Sequence, residues 1–171
     1  VGVFGAAYRA SFLITFVLMA VNSISAPKFA ELFGQGDMDS LRRVVRMSTR
    51  LLIFSSLPVT LVFVVFATPV MGLFGADFAG GGSVLAILAL GQLVNVMTGS
   101  VINLLTMSGH EKRVRDSLYI AVAVNLLLSV TFIPAFGILG AAGATALTLA
   151  GKNLVAAYFL YRRVGISTLP F

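Results

Sequence analysis

The sequence predicts an all-α integral membrane protein whose chain crosses the bilayer five times. Residues 51–76, 78–109 and 117–151 contain no Asp, Glu, Lys or Arg. Each stretch is longer than the roughly 20 apolar residues that carry a helix across the hydrocarbon core. Hydrophobic residues make up 58% of the chain and charged residues 11%, whereas a soluble domain has about 25% charged residues. This composition excludes an ordinary soluble domain.

The predicted spans follow from these uncharged stretches. In lipid each span has to satisfy its own backbone hydrogen bonds, so every span is predicted to be a helix. The run 117–151 is too long for one crossing, and Pro134 with the turn at 137–140 divides it into a tight helical hairpin. Pro58 is expected to kink the second span. The predicted spans are residues 1–26, 51–74, 83–107, 117–136 and 140–161.

The connections between these spans alternate in charge. Basic residues concentrate in the loops 27–50 and 109–116 and in the tail, whereas the loop 75–82 carries only Asp77 and the hairpin turn carries no charge. The positive-inside rule therefore predicts a multi-pass protein of the cell (plasma or inner) membrane with a cytoplasmic C-terminus. This topology explains most of the net charge of +6 without nucleic acid as a partner.

Residues 37–50 are predicted to form a short amphipathic helix on the cytoplasmic surface. Asp37 or Asp39 would cap its start. Such a helix beside a span usually lies on anionic lipid headgroups, and a regulatory or partner-binding role is the alternative. Three arginines share one face at i, i+4 and i+8: Arg42, Arg46 and Arg50.

Two ionisable side chains fall inside predicted spans, where charges are costly and usually face the bundle interior. Lys152 lies near the middle of the fifth span, and Arg9 lies about 12 Å along the first helix. Two interpretations stay open for each: the side chain lines a cavity that attracts an anion, or it reaches toward the headgroups. The amides of Asn and Gln in the spans either bond neighbouring helices or contact sugar hydroxyls. The cavity candidates are Arg9, Asn22, Gln92, Asn95, Asn125, Lys152 and Asn153.

Several classes of chemistry are excluded. The chain has no Cys and only one His, His110, so no thiolate or His-rich metal site is expected, and no cofactor is predicted. No P-loop is present. The short outer connections leave little room for a hydrolytic active site. The protein is therefore predicted not to be an enzyme.

Motifs spread over the whole chain resemble the polysaccharide flippases, which transport O-antigen and other oligosaccharide lipids and belong with the multidrug exporters to one superfamily. Each motif alone is weak, and their order and spacing carry the resemblance. The motifs are the opening residues 1–10, Pro27 followed by Gly36, Asp37 and Leu41, the loop 108–112, and Asn125, Pro134 and residues 137–144.

The resemblance implies a two-lobed helical transporter, of which residues 1–171 would form most of the C-terminal lobe, with the N-terminal lobe missing. Such a protein moves an isoprenoid-pyrophosphate-linked oligosaccharide from the cytoplasmic to the outer leaflet by alternating access, for polysaccharide or lipopolysaccharide biosynthesis. Arg9 and Lys152 would attract the pyrophosphate. Membrane lipids, and polysaccharide polymerase or ligase machinery, would be the partners.

Other functions stay open at this point. A multidrug and toxin exporter usually handles organic cations, which buried Lys and Arg would repel, and no Asp or Glu lies in any predicted span. A peptidoglycan-precursor flippase also moves a lipid pyrophosphate. A membrane glycosyltransferase would need larger catalytic loops, and a structural subunit is the remaining alternative.

Overall fold

The computed structural model is helical throughout the residues that it describes, which are 2–99, 101–109 and 111–164. No strand occurs among them, which confirms the prediction of an all-α protein. Several positions used in the sequence argument lie outside the described residues: Val1 at the start of the first predicted span, His110, residues 165–171, and the side chains of Arg113 and Arg163.

Six α-helices and one 3₁₀ turn make up the described chain. Four of its segments are long and apolar enough to cross a membrane by length and composition: residues 2–34, 38–65, 76–107 and 114–162. The chain is therefore a multi-pass membrane protein. The helices are α1 (Gly2–Gly34), α2 (Met38–Val65), α3 (Ala67–Gly72), α4 (Gly82–Met97), α5 (Val101–Met107) and α6 (Glu111–Val164), with the 3₁₀ turn at Ala76–Gly81 before α4.

Helix α6 folds back on itself at Gly137. The backbone of Gly137 has φ 57° and ψ −129°, a left-handed conformation that strongly favours glycine. We call residues 111–136 α6a and residues 138–164 α6b. Gly140 packs so closely on the backbone of Phe132 that an added Cβ would overlap its carbonyl oxygen. The reversal therefore lies at Gly137, three residues beyond Pro134, which remains within the helix.

The prediction of a separate helix at 37–50 is wrong in one respect. In the structure this helix continues without a break into the second predicted span. Asp37 caps this helix, and its Oδ1 accepts a hydrogen bond from Ser40 N at 3.0 Å. Residues 38–65 then form one helix. Leu41, Val45 and Leu52 are buried along one face, so the same face packs on the bundle on both sides of residue 50. The helix ends at Val65, past Pro58.

The third predicted span, 83–107, is divided in the structure. Helix α4 ends at Met97 and α5 begins at Val101. Gly99 has φ 61°, which a continuous helix does not allow. The hydroxyl of Thr98 donates to the carbonyl oxygens of Val94 at 3.1 Å and Asn95 at 2.8 Å. The second bond occupies the carbonyl group of Asn95, near the end of α4, where regular helical partners are missing.

Helix α4 is the centre of the bundle and packs against α1, α2, α3 and α6. Its crossing with α6b is close, because an added Cβ at Gly91 would overlap the backbone of Ala146. Small residues allow such close approach of helices in membranes. Two apolar clusters fill the core, one around Ile14, Leu85 and Leu88, the other joining α1, α2, α5 and α6b.

The Gly140→Ala substitution is expected to lower the free energy of unfolding by about 1–3 kcal/mol, because overpacking forces the two halves of the hairpin apart. Gly151→Ala is the matched control in the same helix. No atom lies within 4 Å of a Cβ at that position, and alanine favours the helix by about 1 kcal/mol. Unfolding in sodium dodecyl sulfate, followed by circular dichroism, measures both variants. Equal stability of the two variants would contradict the tight hairpin.

Candidate functional site

Lys152 lies half-buried on α6b at the seam between the two halves of the hairpin. It borders a groove of about 310 Å³ that Tyr8 of α1 closes on one side. The groove is amphipathic: polar groups of Asn125, Thr145 and Thr148 lie among apolar side chains. The apolar side chains are Leu118, Ala121, Val122, Leu126 and Leu149.

A second groove of about 240 Å³ lies on the other side of the seam, and Lys152 borders it too. Its walls are more apolar and include Val124, Val155 and Phe159. One ammonium group is therefore within reach of two adjoining spaces with different lining chemistry. Among the described residues no carboxylate lies within 4 Å of it.

Hydrogen bonds on either side fix the position of Lys152. Asn125 Nδ2 of α6a donates to Thr148 Oγ1 of α6b at 3.2 Å, one turn before Lys152. Asn153, the next residue, donates from Nδ2 to Asn95 Oδ1 of α4 at 2.7 Å. Both bonds hold α6b against neighbouring helices. They therefore determine the rotation of α6b about its own axis, which directs Lys152 toward the grooves.

The amides of α4 extend this connection to α1. Thr15 Oγ1 donates to Gln92 Oε1 at 3.0 Å, and Asn95 Nδ2 donates to the same oxygen at 3.3 Å. Gln92 is 2% exposed and Asn153 is 3% exposed. We call the bonded set Thr15, Gln92, Asn95 and Asn153 the polar network. It joins three helices through groups that have no water to bond in a membrane.

The structure does not bring all the sequence candidates together. Arg9 is exposed on α1 and lines neither groove, although its neighbour Tyr8 lines the larger one. Gln92 is likewise absent from both grooves, and Asn22 is half-buried on α1. Of the candidates, only Asn125 lines the larger groove together with Lys152. Their assignment as substrate contacts therefore stays a prediction.

Sequence reasoning missed the hydroxyl groups of the larger groove. Thr148 precedes Lys152 by four residues and Thr145 by seven, so helical spacing places all three on one face. This spacing could have identified both threonines once Lys152 was chosen as the centre of a site. Tyr8 had no such signal, because only the packing of both α1 and α6 against α4 brings it to the groove.

A profile of the MatE family matches residues 1–134, most of the chain. The chain belongs to the MatE family. This membership confirms the predicted superfamily, which the motifs in the connections and the hairpin indicated.

Two curated relatives extend the match over almost the whole chain. The chain is 31% identical over 170 residues to the probable low-salt glycan biosynthesis flippase Agl15 of Haloferax volcanii. It is 29% identical over 176 residues to the probable flippase AglR of the same organism. The alignments cover 97% and 99% of this chain but 35% and 36% of the relatives. The chain thus spans about a third of the length of these relatives. None of the solved structures matches it.

A double-mutant cycle tests the polar network. Asn95→Ala and Asn153→Ala each remove one partner of the 2.7 Å bond between α4 and α6b, and we expect a coupling free energy of about 0.6–1.7 kcal/mol between them. Reversible unfolding in mixed micelles measures the four proteins. Asn103→Ala paired with Asn153→Ala is the control cycle, since no bond between Asn103 and Asn153 is present in the structure. Strict additivity in the first cycle would contradict the network.

Proposed function

We propose that the protein acts in a flippase that moves an isoprenoid-pyrophosphate-linked oligosaccharide from the cytoplasmic to the outer leaflet. The observation that carries this proposal is Lys152, which borders an amphipathic groove and has no carboxylate within 4 Å among the residues that the structure describes. The names of the two relatives, both flippases and one for glycan biosynthesis, support the same class of substrate. Polysaccharide or glycan biosynthesis at the cell surface is the process it serves.

The groove has the three kinds of lining that such a substrate needs. Lys152 attracts the pyrophosphate, because a charge-assisted bond in a medium of low dielectric constant is stronger than one in water. The hydroxyl of Tyr8 and the amide of Asn125 would bond phosphate or sugar oxygens, whereas Thr148 Oγ1 already donates to Ala144 O at 2.8 Å. The apolar walls accept hydrocarbon. No bond is made or broken in this transfer, so the chain needs no catalytic residue.

Alternating access is the proposed route across the membrane. In helical transporters of two similar halves, the substrate site lies between the halves, and rocking exposes it to each side in turn. The groove between α1 and the α6 hairpin would form this chain's half of the site. The basic connections support a cytoplasmic C-terminus. The substrate would then enter from the leaflet where it is assembled and leave toward the machinery that polymerises or ligates the sugar.

Two other transport functions compete with this proposal. A peptidoglycan-precursor flippase also carries a lipid pyrophosphate, so Lys152 would serve it equally well. A multidrug exporter would bind organic cations, which the ammonium of Lys152 repels. No Asp or Glu lines either groove among the described residues, so the geometry favours an anionic lipid over a cation.

The Lys152→Gln substitution is expected to weaken binding of a polyprenyl-pyrophosphate sugar by about 10- to 100-fold, since a hydrogen bond to a charged group contributes about 1.5–3 kcal/mol. The shift of the thermal transition on addition of the lipid measures binding to the purified protein. Lys152→Arg keeps the charge and is expected to retain most of the shift. Arg9→Gln is the matched control, because Arg9 lies outside both grooves.

Two results would overturn this proposal. The first is stabilisation by organic cations and not by the anionic lipid, which would favour the exporter. The second is an equal loss of lipid binding in Lys152→Gln and Arg9→Gln, which would reflect overall charge and not the groove.

A further inference from the structure

The outer face of α2 changes from basic to apolar along its length. Arg43, Arg46 and Arg50 are exposed on this face. Met47 (68% exposed), Leu51 and Phe54 (77% exposed) follow on the same face. Spacings of 3, 4, 7, 8 and 11 residues align all six along one side of a helix. We call these six residues the α2 stripe.

The α2 stripe points away from the helix bundle. The buried residues of α2, such as Leu41, Val45 and Leu52, lie on the opposite side of the helix by the same angular count. Helix α2 packs against α1 and α4, so its stripe faces neither of the grooves that Lys152 borders. Exposed apolar side chains in this position face lipid in a membrane protein.

The three arginines at the start of the stripe are available to bind an anion. Among the described residues none of them has a carboxylate within 4 Å, whereas neighbouring Arg42 pairs with Asp39 at 3.4 Å. Arg46 Nε donates only to the carbonyl oxygen of Arg42, at 3.4 Å. The side chains of Arg43, Arg46, Met47 and Arg50 surround an open cleft on the surface of α2.

One acid, Asp37, lies at the edge of the cluster. The pKa of the Asp37 carboxyl is lowered, first by its hydrogen bonds with Ser40 and to a smaller extent by the charge of Arg43. Asp37 is already engaged as the helix cap, so it does not neutralise the cleft.

The cluster is long enough to span a headgroup layer. From Arg43 to Arg50 the helix rises about 10 Å, and the interfacial layer beside the hydrocarbon core is about 5–8 Å thick on each side. The second predicted span begins at residue 51, directly after Arg50. The basic half of the stripe would therefore lie at headgroup level while Leu51 and Phe54 lie along the acyl chains.

We propose that the α2 stripe is a binding site for an anionic bilayer phospholipid, distinct from the transport site. The guanidinium groups of Arg43, Arg46 and Arg50 bind the phosphate and the net negative headgroup, for which their planar donor pattern is suited. Met47, Leu51 and Phe54 contact an acyl chain of the same lipid. The bound lipid would hold α2, and through it the cap at Asp37, at a fixed depth.

A second copy of the chain is a poorer occupant of this face. It would have to present acidic groups to three arginines. Among the described residues, Glu31, Asp39 and Asp116 are already paired with neighbouring basic residues. A bilayer phospholipid matches both the charge and the apolar continuation of the stripe.

Native mass spectrometry of the purified protein in detergent tests the proposal. Equal amounts of phosphatidylglycerol and phosphatidylcholine with identical acyl chains are added, and the bound lipids are counted. We expect the protein to retain phosphatidylglycerol in preference. The triple variant Arg43→Gln, Arg46→Gln, Arg50→Gln is expected to bind it about a hundredfold more weakly, from the usual contribution of basic residues at an anionic surface.

A matched control removes the same charge elsewhere. The triple variant Lys28→Gln, Lys112→Gln, Arg115→Gln changes three exposed basic residues outside the stripe and is expected to retain phosphatidylglycerol. An equal loss in both triple variants would mean general attraction between opposite charges and would overturn the site. Equal retention of the two lipids by the unchanged protein would overturn it as well. Circular dichroism establishes that both variants keep their helices.

The apolar half of the stripe has a test that leaves the arginines in place. Phe54→Ala is expected to lower retention of phosphatidylglycerol several-fold. Millimolar inorganic phosphate is expected not to displace the lipid, and complete displacement would reduce the site to a simple anion site. Stronger retention of a polyprenyl phosphate than of phosphatidylglycerol would assign the stripe to the transported lipid. A dimer that is lost in the Arg43, Arg46 and Arg50 variant would assign it to a second copy. Each of these three results overturns the proposal.

Discussion

The hydrogen bonds of the α4 amides are the interaction on which the bundle depends. Lipid chains are as apolar as leucine, so burial of hydrocarbon does not by itself select one arrangement of helices in a membrane. A buried amide without a partner is costly there. Gln92 and Asn95 find partners on α1 and α6b at 3.0 and 2.7 Å. These directional bonds, together with the close contact at Gly91, fix the rotation and depth of α1 and α6b against α4.

The same constraint explains the interruptions in the helices. Helix α4 ends at Met97 and the hairpin reverses at Gly137, and an interruption leaves backbone groups without their regular partners. The hydroxyl of Thr98 bonds two of the carbonyl groups near the first interruption. At each place a glycine, Gly99 or Gly137, adopts the left-handed backbone conformation that the interruption requires.

The position of Lys152 follows from this framework. Asn153 is held by α4 and Thr148 by α6a, and Lys152 lies between them on the exposed side of the seam. The bundle therefore holds an ammonium group beside two grooves, and no acid in the described part of the chain lines either groove. The surroundings of the basic residues of α2 differ from those of Lys152, since these residues lie on the lipid-facing surface and near one end of a helix. Two cationic features of one chain thus face different surroundings and serve different proposed ligands.

The sequence by itself determined the class of protein, the approximate location of the apolar segments and the hairpin within 117–151, because long uncharged runs have one stable form in lipid. It also singled out Lys152, since a charge inside a predicted span is rare. The continuity of α2 through residue 50 and the break at Gly99 were decided by tertiary packing, because no local signal distinguishes a helix that ends from one that continues along the same buried face. Only the packing of the helices placed Tyr8 beside Lys152, left Arg9 outside the grooves and joined Gln92, Asn95 and Asn153. These pairings depend on the rotation of each helix against its neighbours, which the linear order of residues does not encode locally.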